Sequence, residues 1–461
     1  MCNQTEMPIV EAIRKYLGKD YLRLHMPGHK GKCAPNIYDV LGDKPFQADL
    51  TELPGTDDLH APEEAILEAE KLAADLFGAG GSVFVVNGAT QGIIALMLQD
   101  DGKKIILPRH AHKALYNGLI LSGAIPKYIK PRYLPEWGIA AGVDFNHYCS
   151  LASHNLDTAQ VWLTSPTYFG HMENIRLFKK YLPDEAKLFI DEAHGSHLRF
   201  LGKEDAITQG AHATVQSWHK TLGALTQSAV IHLSDIDFAA QIRRTIALTE
   251  TTSPSYLLLA SLDSARQNMA LNGEKLLKCI LANVEKLRVK LSKLKFIEVM
   301  PTDDITKIAI SLDGLSGYQL HQALIEKGIM PEMASEKFVL LQATLYFNSE
   351  QVERIINALQ NIATPYLKYQ FQSLQEISIP KLVLTPREAF YAKHTVIPFA
   401  SAKGKICAEF IIPYPPGIPL IAPGEMVDEE ILDNIRKLKR AGVKFQGMQD
   451  KELKNLTVVK E

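Results

Sequence analysis

Across residues 82–233, short apolar runs alternate with longer stretches of helical spacing. Ser82-Val-Phe-Val-Val-Asn87, Ile105-Ile-Leu107, Lys187-Leu-Phe-Ile-Asp191, Ala213-Thr-Val-Gln-Ser-Trp218 and Ala229-Val-Ile231 predict strands. Strands apolar on both faces, separated by helices, belong to a mostly parallel sheet with helices on both sides, so the fold class is α/β. Gly88-Ala-Thr-Gln-Gly92 reads as a turn, with residues 93–98 as the first turns of a helix. Thr252-Ser-Pro-Ser255 predicts an N-cap with proline at the first helical position, opening a long helix to about residue 294. Beyond it, 296–300, 307–311 and 338–343 predict strands separated by helices at 316–327 and 350–363, a smaller α+β domain. After residue 364 comes a third segment, rich in Pro and Gly at 414–423 and charged at 428–440. The boundaries follow: an N-terminal segment at 1–60, a large domain at 61–260, a small one at 261–365 and a C-terminal one at 366–461.

Composition narrows the class without choosing a chemistry. With 461 residues and 46% hydrophobic content the chain buries large cores, and its formal net charge of -2 offers no basic patch to nucleic acid. No apolar run approaches the ~20 residues of a membrane span. Cys2, Cys33, Cys149, Cys279 and Cys407 form no C-x-x-C pair, which fits reduced thiols in a cytoplasmic protein. Residues 1–20, with charges at Glu6, Glu11, Arg14 and Lys15, read as an amphipathic helix and not as a signal peptide.

The chemistry sits where the strands end, because ligands in such sheets bind at carboxyl ends, where Gly88, Asp191 and Lys220 fall. In Ser217-Trp-His-Lys-Thr-Leu222 a lone lysine follows a buried strand pattern. Partial desolvation lowers a lysine pKa and frees the amine for a Schiff base, so Lys220 is a candidate anchor for pyridoxal phosphate. A lysine that merely caps a strand is the alternative from this hexapeptide alone. Asp191, at the end of an apolar run, is a candidate partner for a pyridine nitrogen that must stay protonated, or else a turn cap. Asp191-Glu-Ala-His194 also spells a helicase Walker B box, but the chain holds no G-x-x-x-x-G-K-[ST] loop, which excludes that reading. Gly88, Ala89, Thr90 and Gln91, at a strand-to-helix turn, offer backbone amides and a helix dipole to a phosphate. His112 follows the strand at 105–107 and could stack on a cofactor ring. His110 and His112 lack a cysteine or third histidine at ligand spacing, so no metal site is expected.

His25-Met-Pro-Gly-His-Lys-Gly31, Phe77-Gly-Ala79, Val86-Asn-Gly-Ala-Thr90, Arg109-His-Ala-His-Lys113, Thr164-Ser-Pro-Thr-Tyr-Phe-Gly170, Asp191-Glu-Ala-His-Gly195 and Gln216-Ser-Trp-His-Lys-Thr-Leu222 resemble, in order, the blocks of the Orn/Lys/Arg decarboxylase family. Pro413-Tyr-Pro-Pro-Gly-Ile-Pro419 with Pro423-Gly-Glu425 resembles its C-terminal domain. The resemblance implies a fold type I, PLP-dependent transferase-like large domain, a small α+β domain and a C-terminal decarboxylase domain. It further implies that Lys220 carries pyridoxal 5'-phosphate, Asp191 pairs with the pyridinium, His112 stacks on the ring and Ala193 lies on the other face. Thr90, Ser217 and His219 go near the phosphate, His194 joins the cofactor-binding set, and Glu425 lies near the far end of the substrate. The His25 block begins almost at once, so the chain reads as a short form without a preceding response-regulator-like domain, suited to a biosynthetic role.

An aminotransferase on the same scaffold is the nearest rival. Such enzymes hold the substrate α-carboxylate with a small-domain arginine, and residues 330–346 contain none. A basic substrate needs an acidic partner, since burying its cation unpaired costs several kcal/mol. Beside Glu425, the acidic pairs Thr51-Glu52 and Asp57-Asp58 could reach a partner subunit's pocket, and His25 and His29 could shape its entrance. The expectation is a cytoplasmic homodimer or larger homo-oligomer that decarboxylates arginine to agmatine for polyamine synthesis. Lysine or ornithine as substrate, transamination and a non-catalytic PLP-binding regulator are the alternatives.

Overall fold

The strands at 81–85, 213–216 and 229–233 are fully buried, and they assemble into one sheet. The computed structural model describes residues 3–362, 378–414, 417–440 and 442–460. They form two compact units, one of residues 1–99 and 189–277, the other of residues 100–188 and 278–461. The expected boundary at 365/366, the end of the helix at Ala363, and Pro415 and Pro416 lie outside the described residues.

In the first unit Gly81–Val85 runs antiparallel to Ala229–Leu233, which runs antiparallel to Ala213–Gln216. That strand is parallel to the chain end Phe189-Ile-Asp191, with Asp191 opposite Val215. The carboxyl ends of these two parallel strands therefore lie side by side, and both deliver candidate site residues. The helix Gly88–Met97 packs across the sheet, and Gly92 is what lets it approach. A Cβ there would meet Val215 Cγ1 at 2.9 Å and Ile231 Cγ1 at 3.1 Å. Pro8–Leu17 is the predicted amphipathic helix, with Ile9 and Ile13 buried and the Ile9 amide donating to Asp263 Oδ2 at 3.0 Å.

The expected helix start at Pro254 is corrected. Tyr256–Leu291 begins two residues later, with Ser255 O accepting the Leu258 and Leu259 amides. Burial of Tyr256, 1% exposed, fixes that start more strongly than proline's preferred φ does.

In the second unit Lys104–Pro108 is parallel to both Ile125–Ile129 and Thr158–Thr164. The small sheet orders its strands Ile297–Val299, Lys307–Leu312, Val339–Gln342 and Met333–Ala334, all antiparallel. Its core joins Trp137, Phe169, Met300, Phe338 and Leu340. A separate core of Cys407, Ile411, Ile421, Ile431, Leu456 and Val458 holds the C-terminal region. There His394–Pro398 pairs antiparallel with Asn455–Val459.

Candidate active site

Trp218–Thr221 forms a single helical turn directly after the strand Ala213–Gln216, so the lysine faces the neighbouring strand end instead of extending the sheet. Lys220 Nζ lies 2.9 Å from His194 Nε2. An ammonium can only donate, so a protonated Lys220 fixes the His194 hydrogen on Nδ1. Asp191 is 4% exposed, and its Oδ1 accepts the Ala193 amide at 3.2 Å. Ala193 and His194 are buried. The Ser196 and Thr221 hydroxyls meet at 2.6 Å. Asp191, Ala193, His194 and Lys220 thus share the first unit, gathered at adjacent strand ends as expected.

His219 donates from Nδ1 to Ser228 O at 3.1 Å, because a carbonyl can only accept. Burial lowers its pKa, the Ser228 bond opposes that, and the Lys220 charge lowers it further. Ser217 is 2% exposed and precedes the turn as its N-cap residue.

The phosphate cradle differs in detail from its sequence reading. The helix starts at Gly88, so the expected turn is already its first turn. Asn87 makes no side-chain cap and the Gly88 amide already donates to Gln227 O at 2.7 Å, so it is the amides following Gly88 that are left to another acceptor. Gly88 sits at φ +76. A Cβ there would meet nothing within 4 Å, so it is the backbone conformation that asks for glycine, and the space beside it is open. Thr90 is exposed at the same end. The Gln91 side chain does not join this set, since its Nε2 donates to Thr249 Oγ1.

His112 and Glu425 belong to the second unit. His112 is the N-cap of the helix Lys113–Ser122, its Nδ1 accepting the Ala114 amide at 3.2 Å, and the Lys113 amide reaches Gly417 O at 3.2 Å. Glu425 is fully buried, with Oε2 accepting from Arg109 Nη2 and from the Ala422 amide, each at 2.8 Å. Arg109 also donates to Tyr116 Oη, Pro419 O and Leu420 O. Burial opposes the Arg109 charge, but Glu425 and the Tyr116 and Tyr128 rings raise its pKa above the ordinary value. This corrects the expectation that Glu425 faces a substrate cation. Its charge is already matched inside the protein, and it ties the 419–425 segment to the turn that carries His112.

The acidic N-terminal pairs are likewise engaged. Asp57 accepts backbone amides of Asp58, Glu63, Glu64 and Ile66, and Glu52 accepts from Thr51. Burial acts against the Asp57 charge, but those amides lower its pKa. His25 bonds Tyr16 and His29 bonds Asp49, both structural contacts of the first unit. Among the described residues, no group of three or more His, Cys, Asp and Glu gathers as a metal site.

These residues fit pyridoxal phosphate. An uncapped helix N-terminus with an open glycine, a buried aspartate at a strand end and a lysine turn beside it match the needs of a phosphate, a pyridinium and a carbonyl. Sequence reasoning missed Glu192, Gln216, Ser196, Thr221 and the role of Arg109. Polar residues inside apolar runs were the available signal.

Comparison with known proteins agrees with this geometry. The family model "Orn/Lys/Arg decarboxylase, major domain" matches residues 7–312, and "Orn/Lys/Arg decarboxylase, C-terminal domain" matches residues 367–457. An arginine decarboxylase of Bacillus subtilis is 32% identical, covering 100% of this chain and 99% of that protein. A lysine decarboxylase of Hafnia alvei is 23% identical, covering 96% of this chain and 76% of its own. Among solved structures, the constitutive lysine decarboxylase of Escherichia coli superimposes with a TM-score of 0.87 at 20% identity, over 99% of this chain and 82% of that one.

Proposed function

Because the chain belongs to the Orn/Lys/Arg decarboxylase family, whose members use pyridoxal phosphate, we propose that it removes the α-carboxyl group of arginine, releasing CO2 and agmatine. The observation that carries this choice is full-length similarity to proteins named arginine decarboxylase, at 32% identity, against 23% for those named lysine decarboxylase. The product would enter polyamine synthesis. We place the protein in the cytoplasm as a homodimer or larger homo-oligomer; among the described residues no helix is long and apolar enough to cross a membrane.

In this reading the amides that follow Gly88 at the start of Gly88–Met97, with Thr90, Ser217 and His219, would hold the phosphate. By the family resemblance, His112 would stack on the ring. When bound, the cofactor supplies an electron sink for the pair left on Cα as CO2 departs. Asp191 keeps a negative charge where the ring nitrogen must hold its proton, and burial at the strand end makes that charge effective. Lys220 Nζ would carry the cofactor between turnovers, and His194 would orient Nζ through the 2.9 Å contact with its Nε2. The absence of arginine across 330–346 agrees with a carboxylate that leaves instead of being retained.

The test is CO2 release by purified, cofactor-loaded protein from arginine, lysine and ornithine in parallel. The expected order places arginine first, following the 32% identity to a protein named arginine decarboxylase against 23% to one named lysine decarboxylase. A clear preference for lysine overturns the substrate assignment, and keto-acid formation without CO2 overturns the reaction.

A further inference from the structure

Behind the cofactor-binding face, the first unit buries a carboxylate that the reaction does not use. Glu192 follows Asp191 directly, so in extended chain the two side chains point to opposite faces. It is 3% exposed. Its Oε2 accepts from Gln216 Nε2 at 2.8 Å and Thr214 Oγ1 at 2.9 Å, while Oε1 accepts the Ala206 amide at 3.3 Å. Gln216, fully buried, closes the neighbouring strand, and its Oε1 accepts from Trp218 Nε1 at 2.9 Å. Trp218 is fully buried, stacked on Phe77 at 5.5 Å, and opens the turn that carries His219 and Lys220.

The three side chains form a directed relay. Trp218 can only donate and a carboxylate can only accept, so the Gln216 amide has one orientation, and flipping it would mismatch both ends. The relay therefore joins the residue after Asp191 to a residue two before Lys220. An ionisable group is a costly way to fill a core, and burial pushes the Glu192 carboxyl up to about 7 despite hydrogen bonds from Gln216 and Thr214 that lower it. A methionine or leucine would fill the same volume more cheaply, but it would not fix an angle between two strand ends.

We propose that Glu192 and Gln216 are positioning residues that set Lys220 Nζ relative to Asp191. The proposal rests on the reading of Lys220 as the cofactor anchor. Displacing a reacting group by about 1 Å costs on the order of a hundredfold in rate, so loss of the relay should lower kcat while leaving KM within about threefold.

Three variants test it. Gln216→Glu sets two carboxyls face to face, and should lower kcat roughly a hundredfold and move the pH midpoint of the bound cofactor's absorbance band. The exchange Glu192→Gln with Gln216→Glu reverses the middle bond: residue 192 now donates and residue 216 still accepts from Trp218. Thr214 Oγ1 can then turn to Ile190 O, 3.2 Å away. The exchange should restore the absorbance midpoint and bring kcat to within about threefold of the parent. Trp218→Phe keeps the ring stack, removes one donor, and should show a smaller shift of the same kind; it decides the matter if Gln216→Glu does not fold. Unchanged midpoint and kcat in the single variants, or an exchange no better than Gln216→Glu, overturns the relay. Borohydride reduction of the parent separates the two claims. An adduct away from Lys220 removes the anchor itself, whereas an adduct on Lys220 with indifferent variants removes only the positioning role.

Discussion

Glu425→Gln distinguishes an internal clamp from a substrate contact. In the parent the carboxylate is fully buried and holds Arg109 at 2.8 Å. Glutamine keeps an oxygen for the Ala422 amide and for one guanidinium N–H, so the hydrogen bonds largely survive and the countercharge does not. A guanidinium left buried without its partner costs about 3 to 5 kcal/mol, and the surviving bonds place this case near 3. Urea unfolding of the parent, Glu425→Gln, Arg109→Met and the double variant measures it. The double variant should lose less than the two singles together by about 2 kcal/mol, the signature of a coupled pair. Well below the melting temperature, kcat/KM should fall by similar factors for arginine and for an uncharged amino acid of similar length. Unchanged stability, with a loss confined to basic amino acids, would refute the clamp and return Glu425 to the substrate's far end.

Asp191→Ala should stay folded and lose roughly a thousandfold or more in kcat, because nothing then keeps the ring nitrogen protonated; near-normal turnover would make Asp191 structural. Glu173 is half-buried, its Oε1 accepting the Val143 amide at 2.7 Å, and desolvation raises its pKa from 4.5 to about 7 although Val143 and Arg132 lower it. Since its folded pKa is raised, its contribution to stability is fully present below about pH 4.5 and is lost as pH rises through about 7. Glu173→Gln should therefore gain on the order of 3 kcal/mol relative to the parent between pH 5 and pH 8.5, and a pH-independent difference in unfolding free energy would contradict it. Sedimentation at assay concentration should give a homodimer or larger species, and a fully active monomer would contradict the proposed assembly.

Much of the candidate site's geometry was legible in the chain because its residues mark strand ends. Lys187–Asp191 was read to the residue, since an apolar run that stops at a carboxylate has one natural end. Lys220 was recognisable as a lone cation after such a run, although the turn Trp218–Thr221 that aims it was not. Gly88 was read as preceding its helix when it begins it, because a positive φ at the first helical position leaves no trace in periodicity. Glu192 carried a misleading motif, and its true partners, Thr214 and Gln216, lie more than twenty positions away on another strand. Glu425 was placed by resemblance beside a substrate, and only three-dimensional proximity could show that Arg109, 316 positions earlier, already holds it.

The central claim is that Lys220 carries the cofactor at the strand ends that also present Asp191. Borohydride reduction of the protein loaded with pyridoxal phosphate, followed by peptide mass spectrometry, tests it directly. The account predicts one pyridoxyl adduct, on Lys220, with Lys220→Ala showing no adduct and no CO2 release. An adduct on a different lysine, or full CO2 release by Lys220→Ala, would contradict it.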